Sequence, residues 1–179
     1  FRYLLVYQLG GVYIDIKSSL DKPLKDVLRA EDQFILTHWD NRPGEQYEGI
    51  GIYPELGTLP RGEYIQWCIA SVAGHPFLRA VILQMLRNID EYTPFRHGAG
   101  LWGVLRTTGP VMYTKVIEAM RPTLVEGKDY RMLDKPQEIG LRYSIFDTAG
   151  VYGHKKALKA NYNKAYTPII VTPDRPLYA

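Results

Sequence analysis

The chain carries one cysteine, Cys68, among 179 residues, which excludes an internal disulfide framework and a thiolate zinc site and leaves the redox compartment open. No apolar run reaches the ~18 residues expected of a membrane-spanning helix. No secretory leader is legible either: the chain opens at Phe1 inside a helical pattern, which reads as the start of a fragment. Lysine and arginine nowhere gather into a stripe and the net charge is only +3, so a nucleic-acid partner is not expected. Internal repeats and low-complexity tracts are missing as well.

What is present is the make-up of one folded domain spanning residues 1–179, with 46% hydrophobic and 23% charged residues, which argues against disorder. Aromatic residues reach 12%, with 14 tyrosines. Such rings serve as stacking surfaces for sugars or bases, or as core edges with a wet hydroxyl.

Periodicity organises the chain as alternating helices and strands, an α/β pattern. Phe1, Leu4, Leu5 and Leu9 share one face of an opening helix, which Gly10 and Gly11 end. A short strand follows, with Val12, Ile14 and Ile16 on one side and Tyr13, Asp15 and Lys17 on the other. Asp21 is placed to cap a short helix from Pro23 to Leu28. Strands are expected over 33–37 and 64–71, on either side of a long Gly- and Pro-rich loop (38–62). His75 and Pro76 open an amphipathic helix whose stripe runs through Phe77, Leu78, Val81, Ile82, Met85, Leu86 and Ile89. A Gly-rich link (96–103) leads to Thr108-Gly109-Pro110 and a second helix reaching Met120. A last strand is expected over 143–146.

Asp15 is the residue that asks for a chemical explanation. A carboxylate near the end of an apolar strand stands where open α/β sheets bind ligands, beyond the carboxyl ends of their strands. Moving a sugar off a nucleoside diphosphate requires that the leaving diphosphate be neutralised, commonly by a divalent cation on carboxylate oxygens. It also requires a sugar oriented for an oxocarbenium-like transition state, and an acceptor hydroxyl held away from water. A strand-end Asp with a Gly-Gly turn before its strand suits the first two tasks, since glycine lets backbone approach a ligand closely.

FRYLLVYQLGGVYIDI resembles the signature of the DXD-motif, sugar-binding-region glycosyltransferases, family 32, which includes the yeast initiation-specific alpha-1,6-mannosyltransferases and capsular glycan enzymes. Arg2, Tyr3, Gly10, Gly11, Val12, Tyr13, Ile14 and Asp15 stand in register with it. YIQWCIASVAGHPFL (64–78) is similar to the family's segment ending in Gly-His-Pro, and Thr108-Gly109-Pro110 with Thr114 to its Thr-Gly-Pro segment. The resemblance implies a GT-A type, Rossmann-like nucleotide-diphospho-sugar transferase fold whose base-binding strands lie before Phe1. It further implies a retaining hexosyltransferase, with GDP-mannose or a UDP-hexose as donor and a glycan or glycolipid as acceptor. The compartment would be a Golgi or ER lumen in a eukaryote, or a membrane-associated cytoplasmic site in a bacterium. The donor set implied is Arg2, Tyr3, Gly10, Gly11, Tyr13, Asp15 and Gly109.

Lys17 stands where the family has its second Asp. Three readings stay open: Mn or Mg held by Asp15 and another ligand; metal-independent catalysis with Lys17 meeting the diphosphate charge; and a degenerate module that binds nucleotide sugar or glycan without turnover. His154 resembles the C-terminal histidine that GT-A enzymes add to their metal site, and imidazole suits Mn; the other reading is a surface histidine in a basic turn beside Lys155, Lys156 and Lys159. Trp39 and Asp40, in the long loop, are candidates for the acceptor platform, and Asp147 is a weaker acceptor-side carboxylate. His75 reads as a helix cap. A glycoside hydrolase would need a second carboxylate about 5–9 Å from the first, and no residue pairs with Asp15 in that way.

Overall fold

The computed structural model describes residues 1–16, 18–57, 59–143 and 165–171. It is a mixed α/β structure, as the pattern predicts. In chain order its elements are helix α1 (Arg2–Leu9), strands β1 (Gly11–Ile14), β2 (Ser18–Leu20), β3 (Phe34–Thr37) and β4 (Cys68–Ser71), helices α2 (Pro76–Asp90), α3 (Pro94–His97), α4 (Gly100–Thr107) and α5 (Pro110–Met120), then β5 (Arg131–Leu133) and β6 (Leu141–Tyr143).

Four strands form one sheet in the order β1-β4-β3-β5. β1 lies antiparallel to β4, from Gly11 opposite Ser71 to Ile14 opposite Cys68. β3 is antiparallel to β4 and parallel to β5. A second, two-stranded sheet pairs β2 with β6. Alternation along β3 sends its side chains to two cores. Phe34 and Leu36 join Tyr3, Val6, Ile69, Phe77, Val81 and Ile117 under α1, α2 and α5. Ile35 joins Trp39, Trp67, Leu133 and Leu141 on the other face. Each fully buried side chain of this kind contributes roughly 1.5–3 kcal/mol, so the helices are fixed to the sheet by burial more than by propensity.

Several local expectations are corrected. Helix α1 buries Tyr3 and Val6, while Phe1, Leu4, Leu5 and Leu9, the apolar stripe of the sequence, face outward. The helix expected after Asp21 is only a 3-10 turn over Leu24–Asp26. β4 begins at Cys68, so residues 64–67 lie outside it; β6 occupies Leu141–Tyr143, and the strand expected over 143–146 falls mostly outside the described residues. The Gly-rich link already begins α4, which runs on to Thr107, and β5 had no sequence signal. On α2, Leu86 and Ile89 stay partly exposed, so its buried stripe ends at Met85.

Gly10 explains how α1 meets the sheet. Its φ of 67° is left-handed backbone, and a Cβ there would lie 2.8 Å from the Ala73 amide nitrogen. A side chain is therefore excluded both by conformation and by space. Among the described residues no helix is long and apolar enough to cross a membrane.

Candidate active site

Asp15 follows the last residue of β1 and continues its ladder, its amide donating to the Trp67 carbonyl at 2.7 Å. That bond fixes the backbone, and the carboxylate projects on the side that Tyr13 shares. Asp15 Oδ1 accepts from the Tyr13 hydroxyl at 2.7 Å and pairs with Arg2 Nη1 at 3.1 Å. The guanidinium lies over the Tyr13 ring, 5.1 Å from its centroid, a favourable cation–π distance. Burial raises the Tyr13 phenol above its ordinary value, and the bond to Asp15 raises it further, so Tyr13 stays a neutral donor to the carboxylate.

The side chains of Arg2 and Asp15 are 29% and 21% exposed. The carboxyl is thus open to solvent and not sealed in apolar packing. An ion pair this wet contributes only about 0.2–1 kcal/mol. A ligand carrying its own negative charge can draw the guanidinium away at little cost.

Arg2 and Tyr3 are adjacent on a helix, about 100° apart around its axis, so one turns to Asp15 and the other inward. Tyr3 stacks on Tyr113 of α5 with centroids 5.5 Å apart and planes at 7°, and its hydroxyl reaches the Thr108 carbonyl at 3.0 Å. It also donates to Gln66 Oε1, while Arg2 Nη1 donates to the Gln66 backbone carbonyl at 3.0 Å. Three separated stretches of sequence, those of Arg2-Tyr3, Tyr13–Asp15 and Thr108-Gly109-Pro110, therefore meet around Gln66. Sequence reasoning did not select Gln66; its only signal was a polar residue between Ile65 and Trp67 in an otherwise strand-like run.

The remaining candidates lie elsewhere. Gly10 and Gly11 occupy the opposite end of β1 from Asp15, on the order of 13 Å away at ~3.3 Å per residue. Gly10's close approach is to the chain's own turn at Ala73 and not to Asp15. Gly109 is buried at the start of α5, its amide bound to Val104 O at 2.8 Å, and a Cβ would fall 2.8 Å from Leu105 Cα; it seats α5 on α4 and reaches the site only through Thr108.

Trp39 and Asp40 are buried, at 5% and 8% exposure, which corrects the expectation of an exposed acceptor platform. The Trp39 indole packs against Tyr47, Trp67 and Tyr143, so its faces are spent on the protein interior. Asp40 accepts from Gln137, and burial, followed by the hydrogen bond and charge of Glu45, raises its carboxyl above the usual range. His75 is a cap, as expected: Nδ1 accepts from the Phe77 amide at 3.2 Å and Nε2 meets the Asp129 carbonyl. Lys17, His154, Asp147, Lys155, Lys156 and Lys159 lie outside the described residues.

A divalent cation needs several hard or imidazole ligands at once. Among the described residues no group of three His, Cys, Asp or Glu side chains gathers. Asp15 and its neighbours do not by themselves make such a site.

The comparisons with known proteins follow this geometry. Over 132 residues, 65% of the chain, it is 30% identical to the initiation-specific alpha-1,6-mannosyltransferase of Candida albicans. Over 127 residues it is 28% identical to the Schizosaccharomyces pombe protein of the same name. The chain is related to glycosyltransferases. It spans 32% and 29% of the length of these two relatives, about a third of each. No family model matches the chain, and no solved structure matches it. The mixed sheet with helices packed on it is consistent with a fragment of a Rossmann-like glycosyltransferase.

Proposed function

We propose that the chain moves a hexose, mannose by the names of its relatives, from a nucleotide sugar (GDP-mannose or a UDP-hexose) to a hydroxyl of a glycan or glycolipid. The reading includes a family 32 type of active site, with retention at the anomeric carbon. The observation that carries it is the contact of Arg2 and Tyr13 with one oxygen of Asp15 at the carboxyl end of β1. The site thus holds a cation and a carboxylate side by side, with the second carboxylate oxygen left without a partner among the described residues. A sugar diphosphate needs a positive group at the phosphates and an acceptor of hydroxyl protons at the sugar.

In this reading the donor's diphosphate draws Arg2 off Asp15, and Lys17 adds a second positive charge. Asp15 holds the sugar while the bond from the anomeric carbon to the phosphate oxygen breaks, its electron pair leaving with the diphosphate. The acceptor hydroxyl oxygen bonds to the anomeric carbon, and the departing diphosphate takes its proton. In the metal-independent form of this reading Arg2 and Lys17 meet the diphosphate charge; in the other, Asp15 and His154 would hold Mn or Mg, which would supply that positive charge, and chelation decides between them. A secretory-pathway lumen is proposed as the compartment, since both relatives are fungal mannosyltransferases.

The test is release of nucleoside diphosphate from a panel of nucleotide sugars by the full-length protein, with and without a mannan acceptor. Turnover of one donor, accelerated by the acceptor, is the expected result. Donor binding without turnover would instead assign a binding module, and neither binding nor turnover would end the glycosyl-transfer reading.

A further inference from the structure

Gln66 has an arrangement that a merely structural residue does not need. Its side-chain oxygen is fixed by the Tyr3 hydroxyl, and Tyr3 is buried at 3% exposure and locked by its stack on Tyr113. Its backbone carbonyl is fixed by Arg2 Nη1, the same nitrogen that contacts Asp15 Oδ1. The Gln66 backbone carbonyl and the Asp15 carboxylate therefore share one guanidinium nitrogen. Yet among the described residues nothing accepts a hydrogen bond from the Gln66 amide nitrogen, and that nitrogen is not among the buried polar atoms. Asp15 Oδ2 is in the same position, open and without a partner among the described residues. Gln66 thus offers one free donor, its oxygen anchored on Tyr3, and Asp15 one free acceptor, its other oxygen anchored on the Tyr13 hydroxyl, on two residues that share a contact with Arg2.

A sugar hydroxyl is both a donor and an acceptor. We propose that Asp15 and Gln66 together read one hydroxyl of the donor sugar, Asp15 Oδ2 accepting its proton and the Gln66 amide donating to its oxygen. This role rests on the glycosyl-transfer reading above and adds to it a residue that distinguishes the sugar from the nucleotide. A phosphate oxygen has no proton to give Asp15 and meets a carboxylate unfavourably, so the pair selects a hydroxyl and leaves the diphosphate to Arg2. Removing the amide costs the sugar contact and spares the nucleotide contact.

Calorimetry on the full-length protein, with GDP-mannose against GDP and UDP-glucose against UDP, separates the two contacts. Gln66→Met deletes both amide functions; Tyr3 keeps Thr108 O as its acceptor, so no buried hydroxyl is orphaned. Gln66→Glu keeps an oxygen for Tyr3 but removes the donor hydrogens. Gln66→Met is expected to weaken the nucleotide sugar about tenfold, the loss of one well-placed hydrogen bond, and to leave the nucleoside diphosphate unchanged; Gln66→Glu, whose added carboxylate also repels the diphosphate, is expected to weaken the nucleotide sugar about tenfold more than it weakens the nucleoside diphosphate. A purely structural Gln66 predicts that Gln66→Glu behaves as wild type, or that sugar-bearing and sugar-free ligands weaken together; either result overturns the proposal while the transferase reading stands. Wild-type protein that binds none of the four ligands overturns both.

Discussion

The indole N–H of Trp39 donates to Glu63 Oε1 at 2.6 Å, and both residues are buried. Glu63 sits with no cation among the groups that set its proton affinity. Burial pushes its carboxyl up to about 7, against which the bonds from Trp39 and Tyr53 pull only partly. The folded state therefore retains a proton that the unfolded chain gives up near the ordinary value of 4.5. Between those values the folded state binds more protons than the unfolded one, so this group's contribution to stability falls as pH rises from about 4.5 to about 7 and is level above that.

Glu63→Gln keeps an oxygen for Trp39 and has nothing to ionise. Relative to wild type, the variant should gain on the order of 3 kcal/mol in going from pH 4 to pH 8, at ~1.4 kcal/mol for each pH unit separating the folded and unfolded values. Urea denaturation of both proteins at the two pH values measures this. Parallel pH profiles would show that Glu63 titrates as an exposed carboxyl does.

Arg2 is expected to matter for the donor more than for the fold. The guanidinium is nearly a third exposed, and its pair with Asp15 is weak on its own account. Arg2→Ala should shift thermal unfolding little and weaken the nucleoside diphosphate by tenfold or more, on the order of one charge-assisted contact. Arg2→Lys should recover only part of this, because a single ammonium cannot serve Gln66 O and a phosphate in one plane. Nucleotide titrations of the three proteins check it; equal affinity in all three would remove Arg2 from the site.

Gly10 carries the opposite signature. With φ at 67° and the Ala73 amide 2.8 Å from where a Cβ would stand, Gly10→Ala should destabilise by about 1–3 kcal/mol through strain and displacement of α1. Gly44, whose φ is 81° and whose Cβ direction is empty, supplies the control. Gly44→Ala should cost only the conformational share, about 1 kcal/mol. A smaller loss at Gly10 than at Gly44 in chemical denaturation would contradict the packing described for α1.

Dependence on a cation decides between the side chains that neutralise the diphosphate. With Arg2 and Lys17 in that role, stabilisation by a bound nucleotide sugar persists in EDTA, since any ligand that binds the folded state raises its melting temperature by mass action. Thermal shifts with donor, with and without Mn and with EDTA, give the answer. A shift that appears only with Mn, and is lost in His154→Ala, would place the cation on Asp15 and His154.

Most of the scaffold was legible where the pattern and the burial coincide. α2 announced itself through the His75 cap, Pro76 in its first turn and a stripe from Phe77 to Met85, and the structure uses all three. α4 was hidden because Gly100 and Gly103 look like a linker. In the fold they are glycine because a side chain would strike the Ala165 carbonyl at Gly100, and the Gly98 carbonyl and Ile169 at Gly103, a contact distant in sequence.

Periodicity marked an apolar face on α1 but could not say whether that face or the one bearing Tyr3 and Val6 would be covered. Trp39 in a polar loop read as a platform because its partners Trp67 and Tyr143 are remote in sequence. In the site, Asp15, Tyr13 and Arg2 were legible from strand alternation and motif register. Gln66 was not, since its importance comes from two residues of α1 that only the fold brings to it.

In the proposed reading the donor sugar depends on the Asp15 carboxylate, and transfer measured side by side for wild type, Asp15→Ala and Asp15→Asn tests this most directly. A carboxylate that holds the sugar predicts a loss of at least a hundredfold in kcat/KM for both variants, about 3 kcal/mol of transition-state stabilisation, with melting temperatures close to wild type. Undiminished transfer by Asp15→Ala would contradict it.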